Sequence, residues 1–358
     1  MKKKIILSTG GTGGHVFPMM GLYDYLVSKN YDVAFVSDQR AKKYFSEEMK
    51  LKITIFNINS PFNKKGFFKI LSFVNLFIAT IYSFFFLIKN RPKVIIGCGG
   101  YASFPMLMAG YILKINTVIY ETNSILGRTN KFFYPFCKKL LLGFDKVKDL
   151  PYQYQKKAIY VGQLLRKSFN HKISKSADKK NDFTILVLGG SQAAEFFGSN
   201  LARLFSDINK NTLSIRVFHQ CKKEQMDSTR KAYGNFFNYE LFDFKSNIEQ
   251  LMAKADLAIV RSGASTISEL AAINLPFVAI PLPSSLDNHQ YHNAKYFEDK
   301  GCCWLVEQKL FEAESFKKLI ADIVSNDKEK LKEKVKNMKN LNQTNVLSNF
   351  EQEIINYF

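Results

Sequence analysis

The chain has 358 residues, 46% of them hydrophobic, and a formal net charge of +20. This length and composition allow a large apolar core and favour two domains of ordinary size over one. The charge favours an anionic partner, whether phosphate, anionic lipid or nucleic acid, although lysines scattered over a solvated surface would give the same value. The five cysteines include no C-x-x-C pair and no nearby histidine at metal-ligand spacing, which argues against a metal site and indicates reduced thiols in a cytosolic protein.

The first predicted element is a strand over Lys4 to Ser8, followed by the loop "TGGTGGH" and a helix with Pro18 in its first turn. The apolar start is too short for a signal peptide, so we expect no export. Glycines let backbone amides approach a ligand and the helix N-terminus adds positive charge, so the loop predicts an oxyanion site. It lacks the G-x-G-x-x-G spacing of dinucleotide folds, because Val16 replaces the last glycine, and it lacks the P-loop lysine.

The segment from Ile70 to Ile88 is uncharged and long enough to cross a bilayer. Polar residues interrupt it, however, and a predicted strand over Val94 to Ile96 resumes the same α/β domain beyond it. A very apolar helix between basic residues suits the headgroup region, so we predict that residues 66–93 dock on an anionic membrane surface. The interrupting residues are Ser72, Asn75, Thr80 and Ser83, and the flanking basic residues are Lys64, Lys65, Lys69, Lys89, Arg91 and Lys93.

A second glycine loop, "GCGGYASFP", follows the strand over Val94 to Ile96. We predict that it forms another phosphate cradle, to which Gly99, Gly100, Tyr101 and Ser103 contribute. Further on, Glu121 and Asn123 directly follow the apolar "TVIY". Polar residues at the carboxyl end of a parallel strand are where such sheets bind ligands.

The second half of the chain repeats this pattern. A predicted strand over Ile185 to Leu188 leads into "GGSQAAE", in which Gly189, Gly190 and Ser191 can offer donors to a diphosphate. Another strand is predicted over Leu257 to Val260. Strands that alternate with helices predict an α/β protein with parallel sheets covered on both faces. The facing cradles of the two halves, "TGGTGGH" in the first and "GGSQAAE" in the second, indicate two phosphorylated substrates.

A polar, aperiodic stretch over residues 171–182 indicates a surface loop near the start of the second half. We therefore predict a domain boundary near Gly162, with domains over 1–162 and 163–341. The apolar spacing of the final residues predicts a last helix, within 342–358, that packs back on either half.

Two further motifs carry candidate ligand groups. In "RSGASTISELAA", the Thr266-x-x-Glu269 pair fits a helix capping box, and the Glu269 carboxylate could instead accept hydrogen bonds from a ribose diol. In "PLPSSLDNHQYHNAKYF", His289 and His292 are weak candidates for a metal. The chain contains no D-x-D motif, so we expect no metal and no other cofactor, and loop dipoles with Arg166 could neutralise a leaving diphosphate instead.

These stretches together resemble the MurG family of peptidoglycan N-acetylglucosaminyltransferases. The matching motifs are "TGGTGGHVFP", "GCGGYASFP", "ETNSILGRTNK", "GGSQ", "RSGASTISELA" and "HQYHNA", which follow the family's order over residues 9–294. The resemblance implies the GT-B glycosyltransferase fold, in which two Rossmann-like domains face each other across a cleft. It also implies a peripheral enzyme of the cytoplasmic face of the cell membrane, without a nucleic-acid partner.

By this resemblance, the donor is UDP-N-acetylglucosamine and the acceptor is undecaprenyl-diphospho-N-acetylmuramoyl-pentapeptide. The implied reaction is the conversion of lipid I to lipid II with inversion at the transferred sugar. The implied donor contacts are Ser191 and Arg166 at the diphosphate, Glu269 at the ribose, Ala264, Ser265, Thr266, Ile267 and Ser268 around the nucleotide, Phe244 or Lys245 at the uracil, and Gln290 and Asn123 at the sugar. The implied residues near the sugar and acceptor diphosphate are Thr12, Gly13 and Gly14, with Gly10 and Gly11 in the same loop.

The catalytic base is predicted to be His15 or Glu121. A histidine titrates near neutral pH, and His15 stands beside the predicted acceptor cradle. The chain departs from the family pattern at Tyr120, Thr122, Gln163, Leu164 and Ala193. The alternatives are another GT-B enzyme that uses a UDP-sugar, a nicotinamide-dependent oxidoreductase, and a nucleic-acid-binding protein without catalytic activity.

Overall fold

A computed structural model describes residues 3–58, 66–169, 182–190, 196–209, 214–236, 238–325, 328–341 and 345–358. The chain divides into two compact units. Unit 1 comprises Met1–Lys167 and Gln343–Phe358, and unit 2 comprises Ser168–Asn342. Each unit contains one parallel sheet with helices on its faces, which confirms the predicted α/β class.

The strands of unit 1 form a sheet in the order β3-β2-β1-β4-β5-β6-β7, and those of unit 2 form a sheet in the order β10-β9-β8-β11-β12-β13. Most of the strand residues are apolar and buried, as expected where helices cover both faces of a parallel sheet. The strands are β1 (Lys4–Ser8), β2 (Asp32–Asp38), β3 (Ile53–Phe56), β4 (Val94–Gly97), β5 (Asn116–Glu121), β6 (Lys139–Leu142), β7 (Ala158–Tyr160), β8 (Phe183–Leu188), β9 (Ile215–Gln220), β10 (Tyr239–Phe242), β11 (Leu257–Val260), β12 (Phe277–Ala279) and β13 (Cys303–Leu305).

Helices connect these strands, and the longest of those described is α3. The helices are α1 (Gly13–Ser28), α2 (Glu47–Lys50), α3 (Phe67–Asn90), α4 (Phe104–Ile112), α5 (Arg128–Phe133), α6 (Leu201–Asn209), α7 (Met226–Tyr233), α8 (Ile248–Lys254), α9 (Ala264–Ala272), α10 (His289–Asp299), α11 (Ala313–Ser325), α12 (Lys328–Leu341) and α13 (Val346–Ile355).

Both sheets reverse their winding direction at one point. In unit 1 the chain adds β2 and β3 on one side of β1, and then crosses to add β4 on the other side. Unit 2 does the same around β8, with β11 on the opposite side from β9. Open α/β sheets bind ligands at the carboxyl ends of the strands beside such a switch point. The loops after β1 and β4, and those after β8 and β11, therefore lie where ligands are expected.

The C-terminal helix α13 belongs to unit 1. Its Phe350 is fully buried, with its ring centroid 5.5 Å from that of Tyr120. The Glu351 carboxylate accepts hydrogen bonds from the hydroxyls of Tyr25, at 2.7 Å, and Tyr31, at 2.9 Å. Burial and this carboxylate raise the pKa of each tyrosine to about 12, so both remain donors at neutral pH. Burial of the Phe350 side chain contributes about 1.5–3 kcal/mol to attachment of the helix.

Two predicted helix starts are wrong. Pro18 lies inside α1, because the helix begins at Gly13 within the glycine loop itself. Thr266 is not an N-cap residue, because α9 begins at Ala264 with extended Gly263 as its N-cap. A capping box needs the N-cap residue in an extended conformation, so the pair of Thr266 and Glu269 does not form one.

Candidate active site

The loop after β1 is held closely between its neighbours. A Cβ atom added to Gly10 would lie 2.6 Å from the Ala102 Cβ and 2.9 Å from the Asp38 carboxyl carbon, so only glycine fits there. Gly11 has a φ of 86°, and its N–H donates to Asp38 Oδ1 at 3.0 Å. The Gly11 amide is therefore committed to Asp38, which corrects the expectation that it points outward as a phosphate donor.

The loop after β4 lies against the first loop. Gly99 and Gly100 both have positive φ angles, of 60° and 67°. The Ser103 hydroxyl donates to the carbonyl oxygens of Gly99, at 2.8 Å, and Gly100, at 3.0 Å, so it holds the loop conformation. A Cβ atom added to Gly99 would lie 3.7 Å from His15 Cε1, and one added to Gly100 would lie 3.9 Å from His15 Cδ2. The histidine ring thus lies beside this second glycine loop.

His15 is the third residue of α1 and is partly buried. Its backbone N–H donates to the Thr12 carbonyl oxygen at 3.1 Å, while Thr12 itself is exposed. The His15 Nδ1 atom lies 3.5 Å from Thr122 Oγ1, and the Asn123 side-chain amide donates to the same oxygen at 3.4 Å. The loops after β1, β4 and β5 therefore meet at His15.

Glu121 is buried and its carboxylate is surrounded by donors. Oε1 accepts from the backbone and side-chain N–H groups of Asn123, at 2.9 and 3.1 Å. Oε2 accepts from the N–H of Gly127 and from the Asn130 side chain, both at 2.8 Å. Burial raises the pKa of Glu121, and these hydrogen bonds oppose the shift. The carboxylate thus organises the loop between β5 and α5, a role for which Asn130 had no signal beyond its place in "GRTNK".

Four of the residues that depart from the family pattern contact one another. The buried Tyr120 hydroxyl donates to the Gly162 carbonyl oxygen at 3.0 Å and accepts from the Leu164 N–H at 2.9 Å. The Gln163 side-chain amide donates to the Thr122 carbonyl oxygen at 2.9 Å. This network attaches the segment that leads to Arg166, so the replacements support one another locally.

Arg166 belongs to unit 1 and not to unit 2. Its guanidinium carbon lies 5.0 Å from the centroid of the Phe17 ring on α1. The preceding backbone is close to the same helix, because a Cβ atom added to Gly21 would lie 2.4 Å from the Leu165 carbonyl oxygen. The predicted diphosphate-neutralising cation is therefore fixed near the start of α1.

In unit 2, the loop after β8 begins at Gly189. The Gly190 residue has a φ of 66° and donates its N–H to Gln220 Oε1 at 3.2 Å. Gln220 in turn donates to the Asp243 carbonyl oxygen at 3.0 Å. Ser191 and Ala193, which were predicted to lie in this loop, fall outside the described residues.

The loop after β11 and helix α9 hold the other predicted donor residues of unit 2. Glu269 is buried, and its Oε1 atom accepts from the Ser265 hydroxyl at 3.4 Å. Ala264, Ile267 and Ser268 are also buried, and Thr266 is partly exposed. A buried carboxylate thus lies in the second turn of the helix at the switch point.

Arg261, the first residue of the motif "RSGASTISELAA", is buried directly after β11. Its Nη1 atom donates to the carbonyl oxygens of Ile280, at 3.0 Å, and Pro281, at 2.9 Å, and its guanidinium carbon lies 4.8 Å from the Phe197 ring centroid. Burial lowers its pKa to about 10, so it remains charged at neutral pH. Its signal was its place at the carboxyl end of a buried strand.

The remaining predicted residues lie on three segments of unit 2. Gln290 is in the first turn of α10, and its Oε1 atom accepts from the Leu282 N–H at 2.9 Å. Lys245 pairs with Glu240 at 2.7 Å, and Phe244 is 65% exposed. Within the described residues, no group of three or more His, Cys, Asp or Glu residues could hold a metal ion.

Comparison with known proteins defines the class. The model of the glycosyltransferase family 28 N-terminal domain matches residues 5–142, and that of the glycosyltransferase family 28 C-terminal domain matches residues 184–352. The crystal structure of Acinetobacter baumannii MurG aligns with a TM-score of 0.75 at 25% identity, covering 98% of this chain and 99% of that chain. The kitacinnamycin glycotransferase aligns with a TM-score of 0.69 at 11% identity, which supports the fold alone. The chain thus has the GT-B glycosyltransferase fold, as predicted.

Curated relatives define the family. A Pelagibacter ubique (strain HTCC1062) protein is 35% identical over 358 residues, which cover 99% of this chain and 98% of that protein. A Rickettsia canadensis (strain McKiel) protein is 38% identical over 331 residues, covering 91% and 92%. Both are named UDP-N-acetylglucosamine--N-acetylmuramyl-(pentapeptide) pyrophosphoryl-undecaprenol N-acetylglucosamine transferase. The chain belongs to this family, the MurG family, which confirms the predicted resemblance.

Proposed function

We propose that the chain transfers N-acetylglucosamine from UDP-N-acetylglucosamine to the 4-hydroxyl of the muramoyl sugar of undecaprenyl-diphospho-N-acetylmuramoyl-pentapeptide. This is the conversion of lipid I to lipid II in peptidoglycan synthesis. The observation that carries the proposal is 35% identity over 99% of the chain to a relative named for this reaction. The polar loops at both switch points support it, because each unit then has a crevice for one substrate.

The acceptor diphosphate is assigned to unit 1. The loops after β1 and β4 approach each other closely, and each leads into the N-terminus of a helix, which attracts phosphate. Gly10 and Gly11 shape the first loop, and Thr12, Gly13 and Gly14 offer the start of α1. In the second loop, Gly99, Gly100, Tyr101 and Ser103 are assigned to the acceptor side.

The donor is assigned mainly to unit 2. The buried Glu269 carboxylate, held by Ser265, has oxygens suited to the hydroxyls of a ribose diol. The N-terminus of α9 suits the nucleotide, and Gln290 suits the sugar. The remaining donor contacts are assigned to Ser191, Arg166, Asn123, Lys245, Phe244, Ala264, Thr266, Ile267 and Ser268.

We assign the role of base to His15 rather than Glu121. The Glu121 carboxylate accepts four hydrogen bonds from its own loop, so removing a proton from a substrate would disrupt that loop. His15 instead lies beside the second glycine loop, next to the assigned diphosphate. The acceptor oxygen attacks the anomeric carbon as His15 takes its proton, the bond from that carbon to UDP breaks, and the sugar inverts.

Helix α3 is assigned to membrane docking. A stripe of its residues at helical spacing is buried against the rest of unit 1, and most of its other described residues are apolar and exposed. Ser72 and Thr80 donate their hydroxyls to backbone carbonyls four residues earlier, which suits an apolar environment. The buried stripe is Ser72, Leu76, Ala79, Ser83 and Leu87, and the exposed residues are Phe67, Phe68, Ile70, Leu71, Phe73, Val74, Phe77, Ile78, Ile81, Tyr82, Phe85 and Ile88.

We propose that α3 lies in the plane of the membrane surface. Among the described helices, it alone is long and apolar enough to span a membrane, over Ile70–Asn90. Its 24 residues measure about 36 Å. However, β3 before it and β4 after it belong to the same sheet, and a spanning helix would separate their ends across the bilayer. Exposed Lys89, Arg91 and Lys93 at its end suit anionic headgroups, which for this family implies the cytoplasmic face.

The direct test is transfer of labelled N-acetylglucosamine from its UDP derivative to a short-chain analogue of the lipid acceptor by the purified full chain. We expect one labelled lipid and one UDP per transfer. Matched reactions contain diacylglycerol, or only water, in place of the acceptor. Transfer to diacylglycerol but not to the diphospholipid would contradict the proposal and favour a different UDP-sugar enzyme of the same fold.

A further inference from the structure

Unit 1 contains a charged cluster beside the first glycine loop, and the reaction described above gives no role to its two charged residues. The cluster consists of Asp38 at the end of β2, Arg40, and the Tyr101 ring from the loop after β4. Asp38 is fully buried, whereas the Arg40 side chain is 50% exposed. The cluster therefore joins the protein interior to the surface at the carboxyl edge of the sheet.

Arg40 is held in one orientation by two contacts. Its Nε atom donates to Asp38 Oδ2 at 3.0 Å, and its guanidinium carbon lies 4.4 Å from the centroid of the Tyr101 ring. The Nη2 atom lies directly over the first glycine loop, since a Cβ atom added to Gly11 would be 2.6 Å from it. Any larger residue at Gly11 would displace the guanidinium.

The Arg40 guanidinium offers N–H donors beside the first glycine loop, in which the Gly11 N–H is already bonded to Asp38. The Gly11 N–H, which would otherwise face a phosphate, is donated to Asp38. Within the part of the chain that the structure describes, the Arg40 contacts engage Nε and the guanidinium face, and no acceptor is bonded to Nη1 or Nη2. The Asp38 carboxylate also accepts a hydrogen bond from the backbone N–H of Ala41. The carboxylate lies on the Nε side of Arg40, so the positive charge of the ion pair is presented at Nη1 and Nη2.

Tyr101 connects this cation to the apolar helix. The Tyr101 ring, which stacks on Arg40, also packs against the cluster formed by Ile58, Leu76 and Ala79. Leu76 and Ala79 belong to the buried stripe of α3. The guanidinium thus lies close to the helix assigned to membrane docking. If α3 docks on the membrane as proposed, a diphosphate attached to a membrane-embedded chain approaches unit 1 on this side.

We propose that Arg40 binds the diphosphate of the lipid-linked acceptor, through Nη1 and Nη2, over the Gly11 side of the first glycine loop. The inference rests on the proposed function, because it takes that acceptor as the substrate. A guanidinium presents two parallel donors that match phosphate oxygens, which an ammonium group does not. Arg40 is thus a substrate-binding residue for the acceptor and not for the nucleotide sugar.

The test is a comparison of KM values for the two substrates in Arg40→Gln, Arg40→Lys and the parent chain. Loss of the two charged guanidinium donors should raise the acceptor KM about tenfold or more in Arg40→Gln. Arg40→Lys keeps the charge and should give a smaller rise. The KM for UDP-N-acetylglucosamine should stay within about twofold, and hydrogen-exchange protection of β1 equal to that in the parent chain should verify that unit 1 is folded. The matched control is Arg230→Gln, because Arg230 pairs with Asp227 at the same 3.0 Å distance in unit 2.

An unchanged acceptor KM in Arg40→Gln, or an equal rise in Arg230→Gln, would overturn the inference. Binding of farnesyl diphosphate, measured by calorimetry, provides a second readout without turnover. We expect Arg40→Gln to weaken this binding about tenfold, and equal affinity would overturn the inference. If the parent chain binds farnesyl diphosphate through Arg40 but transfers no sugar, the proposed function fails and the diphosphate site stands.

Discussion

Units 1 and 2 have the same strand order around their switch points, but the groups at those points differ. Unit 1 has two glycine loops, the ring of His15 and the exposed cation of Arg40. Unit 2 has one positive-φ glycine in the described part of its first loop, the buried carboxylate of Glu269 and the buried cation of Arg261. The same topology therefore carries different side chains in the two units, and we propose that these favour a prenyl diphosphate in unit 1 and a nucleotide in unit 2.

The surfaces of the two units differ in the same sense. Among the described residues of unit 2, the large hydrophobic side chains that are exposed are Phe244, Leu286, Leu310. In unit 1, one face of α3 is almost entirely apolar and exposed. Such a patch on a folded protein indicates a membrane or protein contact. This difference supports the proposal that unit 1 binds the lipid-linked substrate and unit 2 the water-soluble nucleotide sugar.

The largest expected effect comes from His15. We predict that His15→Ala lowers kcat by roughly a hundredfold or more, because the acceptor hydroxyl loses its base. The KM for UDP-N-acetylglucosamine should be nearly unchanged, since most of the proposed donor contacts lie in unit 2 and none of them is His15. Steady-state kinetics with both substrates measures this, and an unchanged kcat would remove His15 from the mechanism.

Glu121→Gln is the comparison for His15→Ala. It replaces one carboxylate oxygen by an NH2 donor at a place where four N–H donors already point at the carboxylate. We expect a loss of about 1–3 kcal/mol in the free energy of unfolding. The kcat of the folded fraction should exceed that of His15→Ala by about tenfold or more. A larger loss of kcat in a fully stable Glu121→Gln protein would make Glu121 the base.

The next effect concerns the donor. Glu269→Ala should raise the KM for UDP-N-acetylglucosamine by about tenfold to a hundredfold, because two hydroxyls of the ribose lose a charged acceptor. The acceptor KM should not change. Glu224→Ala, at an exposed position of unit 2, is the matched control. An equal rise in the acceptor KM would contradict the assignment of the two substrates to different units.

A smaller effect is expected at the membrane. Replacing both Phe73 and Phe77 by serine should together weaken binding to vesicles that contain anionic lipid by about tenfold, because exposed aromatic area no longer enters the lipid. Binding of UDP should be retained. Tyr152→Ser, at an 87% exposed position outside α3, is the control. Vesicle cosedimentation measures the effect, and equal binding of the double variant would refute docking through α3.

The smallest effect concerns acid stability. Burial lowers the pKa of His219 in unit 2 to about 3, so the unfolded state binds a proton more readily than the folded state. The free energy of unfolding of unit 2 should therefore fall by up to about 1.4 kcal/mol per pH unit as the pH falls below 6.5. Burial raises the pKa of Glu121 in unit 1, so stability from that group is present at low pH and is lost only as the pH rises.

Hydrogen exchange at pH 7 and pH 4.5 tests this difference. We expect peptides from β9 to lose protection on acidification before peptides from β1 do. His219→Gln, which does not titrate, should reduce the difference. Earlier loss of protection in β1, with no effect of His219→Gln, would contradict the account.

The fold was largely predictable because buried parallel strands are short, continuous apolar runs. The run over Leu257 to Val260 was predicted with its observed bounds, and that over Lys4 to Ser8 likewise. Helix starts were less predictable, because glycines in "TGGTGGH" and "RSGAST" are compatible with both loop and helix. Pro18 and Thr266 were misassigned for this reason.

Site residues within one local motif could be predicted from the sequence. Contacts between residues that are distant in sequence could not. Nothing in the one-dimensional pattern relates Asp38 to Gly11 or Tyr101. The commitment of Glu121 to its own loop likewise became evident only from four hydrogen-bond distances. The predicted division of the site residues between acceptor and donor stays a prediction until it is measured.

The measurement that tests this division most directly is hydrogen exchange of the full chain with one ligand at a time. We predict that UDP protects peptides over residues 261–269 and 282–290 of unit 2, and leaves those over 9–16 and 97–103 unchanged. Farnesyl diphosphate should protect 9–16, 38–41 and 97–103 of unit 1 and leave the two unit 2 peptides unchanged. Protection of the unit 1 loops by UDP, with no protection of unit 2, would contradict the account.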